Sequence, residues 1–472
     1  MLHWGDRRRA VQRIWKRLFG EIRGYFDGVD RLPITPRMSP GELRGRLQQA
    51  FDFRSPRPLD ELIPQVAAIL REAGLHTGHR RYFGLFNPGV RPAGVAGDAL
   101  AAAFNPQLAA WPHAPAANEI ERHTLLWLAG RFGLDPQACA AHFTTGGAEA
   151  NLTGVLVALT RSFPGYGERG LRALPAQPVF YVTGEAHHSF QKIAHSSGLG
   201  REAAHAVPVD AELRMDPAAL ARRIAEDRAA GLAPFLVAAT AGTTAAGIIE
   251  PLEALAALCA REGLWLHVDG AWGGAAALSP GLRGHLRGLE RADSLTCDAH
   301  KWLAAPMGAG MFFCRHPQAV AESFRVAASY MPDPTRETTD PYVSSVQWSR
   351  RFIGLKVFLT LAELGEQGLA EMIERQASLG EELRGRLQKA GWSLVNRTPL
   401  PVVCATHPRI LEGRTTVRAV VERVQARGQA WVSEVLLAGR TPAVRACVTN
   451  YRTTSDDLVF LVEELGRALA ES

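Results

Sequence analysis

A recurring pattern constrains this chain more than any other feature: from about residue 120 onward, short apolar runs closed by turns of small or polar residues alternate with helical stretches. The runs occupy residues 179–183, 235–240, 264–268, 294–297 and 310–314, and helical periodicity fills 217–230 and 251–261. Runs that stay apolar throughout and are separated by helices predict βαβ units, hence an α/β fold with a mainly parallel, doubly wound sheet. Ligands of such sheets bind beyond the carboxyl ends of the strands, so the residues that close each run are the functional candidates. A long helical stretch over 351–387 leads into a smaller α+β unit with strand-like 401–405 and 444–448. At the other end, Val11, Ile14, Trp15, Leu18, Phe19, Ile22 and Tyr25 recur at helical spacing, an amphipathic helix with a basic outer face. Residues 31–57, rich in Pro, Arg and Gly, read as an exposed connection. The expected division is an N-terminal helical segment over 1–85, a large domain over 86–350 and a C-terminal α+β domain over 351–472.

Bulk properties narrow the function classes. The 53 basic and 47 acidic residues leave a net charge of +6, small for 472 residues and concentrated in residues 1–23, so nucleic acid is not an expected partner. No apolar run is long enough to cross a bilayer, and the first residues lack a signal peptide's apolar core, so no membrane association is expected. Six scattered cysteines without a C-x-x-C pair indicate neither a zinc cluster nor a disulfide framework, which suits a reducing, cytoplasmic setting. Only five basic residues are lysine: Lys16, Lys192, Lys301, Lys356 and Lys389. Arginine cannot replace a deprotonatable amine, so amine chemistry has five candidates.

Three signals converge at the run ends. Residues 144–151, Thr-Thr-Gly-Gly-Ala-Glu-Ala-Asn, open a helical pattern, where backbone N–H groups and the helix dipole favour a phosphate; a plain glycine turn capped by Thr144 or Thr145 is the alternative. Asp269 closes one apolar run and is followed by small residues that leave room for a flat ligand. Asp298-Ala-His-Lys301-Trp302 follows the next run, and in a parallel sheet both ends open on the same side. A carboxylate for a pyridinium nitrogen, a lysine for a Schiff base and a helix N-terminus for phosphate are the protein groups that a pyridoxal phosphate site requires. A metal site using His187, His188, His267 and Asp269 is the competing use of these residues, and it leaves the glycine turn and Lys301 without a role.

The motifs Thr145-Gly-Gly-Ala-Glu-Ala-Asn151, Ala186-His187, Gly242-Thr-Thr244, His267-Val-Asp-Gly-Ala271, Asp298-Ala-His-Lys-Trp302 and Arg350-Arg-Phe352 resemble those of the group II pyridoxal phosphate-dependent decarboxylases, in order from about Arg81 to the C-terminus. The resemblance implies the type I pyridoxal phosphate-dependent transferase fold, with a seven-stranded, mainly parallel sheet in the large domain. It implies that Lys301 carries the cofactor, Asp269 faces its ring nitrogen, His187 stacks on one ring face and Ala271 packs on the other. Gly147, Ala148, Asp298 and His300 match cofactor-binding positions, and Thr244 matches a residue near the phenolic oxygen. The implied reaction releases the α-carboxylate of an L-amino acid as CO2, in a homodimer for which the N-terminal helix is a clasp. A mobile loop tyrosine supplies the returning proton in relatives; segment 331–345, with Tyr342 inside it, is the expected lid. Arg445 matches a substrate-carboxylate contact, and Phe86, Asn87, Gln107 and Trp111 match the substrate wall. Two aromatics favour an aromatic substrate; the two amides keep acidic or short polar substrates open, and oxidative aldehyde formation is the alternative outcome.

Overall fold

The computed structural model describes residues 4–326, 338 and 340–471, with backbone alone for 4–10. Its larger sheet contains β1 (Ala140–Thr144), β2 (Pro178–Thr183), β3 (Ala204–Val207), β4 (Ala233–Thr240), β5 (Trp265–Asp269), β6 (Ser294–Asp298) and β7 (Gly310–Cys314), in the order β1-β7-β6-β5-β4-β2-β3. β2, β3, β4, β5 and β6 run parallel, and β7 is antiparallel to both β6 and β1. The expected seven-stranded, mainly parallel sheet is present. β2, β5, β6 and β7 are buried along their whole length, as a sheet covered on both faces requires. Because β7 turns the direction twice, β1 ends on the same edge as β5 and β6. Gly310 is in register with Thr144 on one side and Asp298 on the other, which brings the turn after β1 beside the end of β6.

The helix Gly147–Ser162 lies against this sheet and buries Ala150, Asn151, Val155, Ala158 and Leu159. A smaller antiparallel sheet follows, formed by β8 (Ser393–Leu394), β9 (Val402–Thr406), β10 (Ser433–Leu437) and β11 (Thr441–Cys447) in the order β10-β11-β9-β8. It has its own core, in which Leu383, Val420, Val424, Leu458 and Leu461 are fully buried. The helical stretch expected over 351–387 is the helix Gly354–Lys389, broken at Gly365, whose φ of 62° lies outside the helical region.

The stretch 31–57 departs from a plain connection. It contains the helix Pro40–Ala50, started by a reciprocal cap between Ser39 and Glu42, although no residue of that helix is buried. The N-terminal helix runs from Trp4 to Gly28 and leaves Val11, Trp15 and Phe19 about half exposed. Among the described residues, no helix is long and apolar enough to cross a membrane.

One buried side chain ties the two sheets together. Gln376, on the long helix, accepts from the indole N–H of Trp302 at 2.6 Å and donates to the Thr449 carbonyl at 2.6 Å. Gln376→Leu keeps the volume but strands both partners, so urea unfolding is expected to show a loss of about 2–4 kcal/mol; no loss removes this link from the account.

Candidate active site

The site is assembled on the sheet edge where β1, β5 and β6 end. Asp269, the last residue of β5, is 4% exposed. Its Oδ1 accepts from the Ala271 N–H at 3.0 Å and its Oδ2 from the Asn151 amide at 2.8 Å. Asp298, the last residue of the neighbouring β6, is equally buried, and its backbone N–H donates to the Ala271 carbonyl at 2.8 Å. Ala271 is therefore fixed between the two acids. Lys301 follows one turn later with its Nζ 3.0 Å from Asp298 Oδ2.

The other lysines are placed differently. Lys16, Lys192 and Lys389 are exposed, and Lys356 is buried with its Nζ committed to the Met307 carbonyl at 2.6 Å and to Asp98. Lys301 is thus the lysine that stands at the strand ends with the two acids. His187 follows β2, with Asp269, Lys301 and Asp298 all within electrostatic range. Partial burial lowers its pKa, opposed by Asp269 and reinforced by Lys301, which favours the neutral ring. His300 is also pushed down by burial; its Nδ1 accepts from the Ala309 N–H, so the proton of the neutral ring sits on Nε2, 3.6 Å from Asp298.

The turn after β1 does not adopt the alternative threonine cap. Thr144 Oγ1 donates to the Gly146 carbonyl, while the Thr145 N–H and hydroxyl both go to Glu149. No side chain caps the helix, so the first-turn N–H groups of Gly147 and Ala148 have no intrahelical acceptor and are suited to an anion. A Cβ on Gly147 would lie 2.9 Å from Asp298 Oδ2 and 3.1 Å from the Ala271 methyl, so a larger residue would fill the space beside the acids. Asp298 Oδ1 is buried without a partner among the described residues. An acceptor carboxylate, a partly exposed amine, a neutral imidazole and an uncapped helix N-terminus on one edge fit a flat cofactor with a basic ring nitrogen, an aldehyde and a phosphate. They fit a metal less well, since both nitrogens of His267 are already bonded, to Ser294 and Asn151.

The expected substrate residues fall into two groups. Phe86 stacks on Trp272, next to Ala271, with ring centroids 4.4 Å apart, and the Arg445 guanidinium lies 4.6 Å above Phe86. Asn87 follows, half-buried. Arg445 donates to the carbonyls of Gly84, Thr244 and Ala245, so it reaches Thr244 through the backbone; its buried Nη2 has no acceptor among the described residues. Gln107 and Trp111 form a second group. Gln107 pairs with Ala109 and Ser349, and Trp111 with Glu119 and Asp340.

Tyr342 belongs to that second group and departs from the expected lid. It sits in the 3-10 turn Pro341–Val343, 6% exposed, with its ring on Trp348 and its N–H on the Ala109 carbonyl. The physical reason is local: Tyr342 and Val343 close a small apolar cluster over Ala109, so the residue is packed. The rest of the expected lid, residues 331–337 and 339, lies outside the described residues.

Sequence reasoning missed two polar residues here. Asn151, four positions after Gly147 on an otherwise apolar helix face, was the detectable signal. Glu250 was hidden beyond a turn. It is buried, accepts from the Thr240 N–H at 2.7 Å and pairs with Thr183 Oγ1 at 3.1 Å. Burial, with a smaller push from Asp269, raises its carboxyl from 4.5 to about 7. Between those values the folded protein holds a proton that the unfolded chain has lost, so stability falls as pH rises from 4.5 to about 7. Glu250→Gln mimics the protonated form and is expected to exceed the parent in melting temperature at pH 8 by an amount worth on the order of 3 kcal/mol, with the gap closing at pH 5. An equal gap at both pH values would contradict the titration.

Comparison with known proteins identifies the family. Residues 40–406 match the pyridoxal-dependent decarboxylase conserved domain. The chain is 30% identical to an aromatic-L-amino-acid decarboxylase of Bacillus atrophaeus, covering 95% of this chain and 93% of that one. It is 32% identical to human cysteine sulfinic acid decarboxylase, covering 86% and 85%. The crystal structure of mouse CSAD superposes with a TM-score of 0.90 at 28% identity, covering 97% of this chain and 98% of that one. Oryza sativa TDC, solved with PLP and tryptamine, shares the fold with a TM-score of 0.90 at 24% identity, covering 100% and 99%. The chain belongs to the pyridoxal-dependent decarboxylase family and is a carboxy-lyase that uses pyridoxal phosphate.

Proposed function

We propose that the protein decarboxylates an aromatic L-amino acid to its amine and CO2, with a site completed in a homodimer. The observation that supports the reading is the stack of Phe86 on Trp272, the residue that follows Ala271. Aromatic rings pack on such rings with about 0.5–1.5 kcal/mol beyond their buried area.

Bound pyridoxal phosphate would supply an electron-withdrawing ring coupled to the substrate's amino group, the sink needed when the bond from Cα to the carboxylate breaks. The chain's own residues hold and orient. Asp269 presents an anionic acceptor toward the ring nitrogen. Lys301 offers its amine at the strand end. Neutral His187 and the Ala271 methyl would bracket the ring, Thr244 would lie near its phenolic oxygen, and the N–H groups of Gly147 and Ala148, with His300 and Asp298 beside them, would receive the phosphate end. Loss of CO2 leaves Cα in need of one proton, which an acid at the site must deliver; the resemblance assigns this to a loop tyrosine. Tyr342 is packed against Trp348, whereas Tyr330, immediately before the expected lid, lies outside the described residues.

A second reading rests on Arg445. Its buried Nη2 has no acceptor among the described residues, and a carboxylate or sulfinate side chain would satisfy it, so acidic substrates compete with aromatic ones. Mass spectrometry of products from the pyridoxal phosphate-loaded protein and a panel of aromatic, acidic and basic L-amino acids decides between them. Amines from the aromatic set are expected; turnover confined to glutamate or cysteine sulfinate would transfer the assignment to Arg445.

The proton donor is tested in the same assay. Tyr342→Phe is expected to keep the amine as product with less than a two-fold change in kcat, and Tyr330→Phe to divert product toward the aldehyde. Aldehyde from Tyr342→Phe would return the donor role to the packed residue. Half-exposed Val11, Trp15 and Phe19 support the dimer clasp. Deleting residues 1–30 is therefore expected to weaken dimerisation in analytical ultracentrifugation, and an unchanged dimer would remove the helix from the interface.

A further inference from the structure

Beneath Asp269 lies a line of buried polar groups that the proposed reaction does not use. His267 and Asp269 are two positions apart on β5, so both side chains leave the same face of the sheet, the face covered by the helix Gly147–Ser162. Asn151, 1% exposed on that helix, lies between them. Its Nδ2 is 2.8 Å from Asp269 Oδ2 and its Oδ1 is 3.0 Å from His267 Nε2. On the far side of the ring, His267 Nδ1 is 2.8 Å from Ser294 Oγ, which is 2.8 Å from the indole nitrogen of Trp265.

The direction of every bond in this line follows from its two ends. An indole N–H can only donate, and a carboxylate can only accept. Trp265 therefore gives its proton to Ser294 Oγ. The Asn151 amide must turn its NH2 to Asp269, which leaves its oxygen facing His267, so His267 Nε2 must carry a proton. Ser294, already accepting from Trp265, completes the line by donating to His267 Nδ1. Four hydrogen bonds then run head to tail toward Asp269, an arrangement in which each bond polarises the next. A doubly protonated ring would put a second N–H against buried Ser294 and leave the serine proton without an acceptor at that contact. Burial pushes His267 down to about 4, which agrees with the neutral ring. The ring fits because position 154 is glycine: a Cβ there would lie 2.6 Å from His267 Nδ1. Thr296 Oγ1, 3.4 Å from Nε2, and the edge-on Phe190 ring close the remaining sides.

We infer that Asn151, His267 and Ser294 are positioning residues that hold Asp269 as an unprotonated acceptor in one orientation, with the His267 proton fixed on Nε2. None of them needs to touch the cofactor. Their effect passes through the Asn151 amide, which gives Asp269 a donor that stabilises its charge and blocks the rotation that would present the other oxygen. The inference rests on the placement of Asp269 toward the cofactor's ring nitrogen, yet the protonation pattern exists in the protein without cofactor and can be read there.

The test has two parts. In cofactor-free protein labelled with 15N-histidine, the resonance that disappears in His267→Gln is expected to show the Nε2-protonated neutral form, unchanged from pH 5.5 to 8.5, with its Nδ1 shift moved by Ser294→Ala. A ring protonated on Nδ1, or one that titrates in this range, overturns the relay. In the loaded enzyme, Asn151→Ala removes a hydrogen bond to a charged group. It is expected to raise the pyridoxal phosphate Kd roughly ten-fold and to displace the pH at which the cofactor's absorption band changes. His267→Phe should do the same to a smaller degree, whereas Ser294→Thr, which keeps the hydroxyl, should resemble the parent; melting temperatures of the cofactor-free variants separate loss of fold from loss of positioning. Well-folded Asn151→Ala with parental Kd and absorption profile refutes the positioning role. If Asp269→Asn also leaves both unchanged, the placement of Asp269 toward the ring nitrogen is what fails, and the tautomer result stands apart from it.

Discussion

A carboxylate buried at the end of a central strand must be solvated by the protein itself, and the arrangement around Asp269 answers that need. An uncompensated charge at 4% exposure would cost several kcal/mol. One donor is local, the Ala271 N–H, and follows from the turn after β5. The other comes from Asn151, 118 positions away, and reaches Asp269 only if the helix Gly147–Ser162 lies flat against the sheet. The same docking places the first turn of that helix beside Asp298. Charge satisfaction and the uncapped helix N-terminus are two consequences of one packing contact.

The charges left at the site are few and separated. His187, His267 and His300 are all pushed toward the neutral form by burial. The strand-end charges are then carried by Asp269, Asp298 and Lys301, and Lys301 pairs with Asp298 at 3.0 Å. Among the described residues Asp269 has no cationic partner within ion-pair distance; its two donors are the neutral Ala271 N–H and Asn151 amide. His267, held neutral by burial, adds no second cation beneath Asp269.

The sequence was most readable where one physical cause dominates. Runs buried on both faces have a single requirement, apolarity, and β2, β4, β5, β6 and β7 fell where that requirement predicted. β1 and β3 escaped notice because they open on Ala140-Ala-His and Ala204-His-Ala and carry a single β-branched residue each, Thr144 and Val207, at their last position; pairing with β7 and β2 makes them strands. Cofactor candidates could be identified because strand ends on one edge converge by topology. Tyr342, expected within a lid, is instead packed, because loop composition does not report packing: Pro341 and Ser344 suggest mobility, while the ring clusters with Ala109 and Trp348. Asn151 stood in the 145–151 motif as a polar residue on an apolar helix face, yet its partners could not be read there, because a contact across the fold leaves no trace in local sequence; Glu250 gave no local signal at all.

The aromatic wall beside Ala271 belongs to both parts of the chain. Arg445 of β11 lies on Phe86, Phe86 on Trp272, and Trp272 beside Trp302, which Gln376 ties to Thr449. The column thus starts in the smaller sheet, crosses the residues that follow β5 and β6, and returns to the smaller sheet through the long helix. A substitution that reshapes the substrate wall at Phe86 must also move Arg445 or Trp272, because stacked rings at 4.4 Å leave no slack. Pocket shape and the relative placement of the two sheets are therefore one degree of freedom. Changes of substrate preference in this chain will be carried by concerted replacements along the column, not by single exchanges at its end.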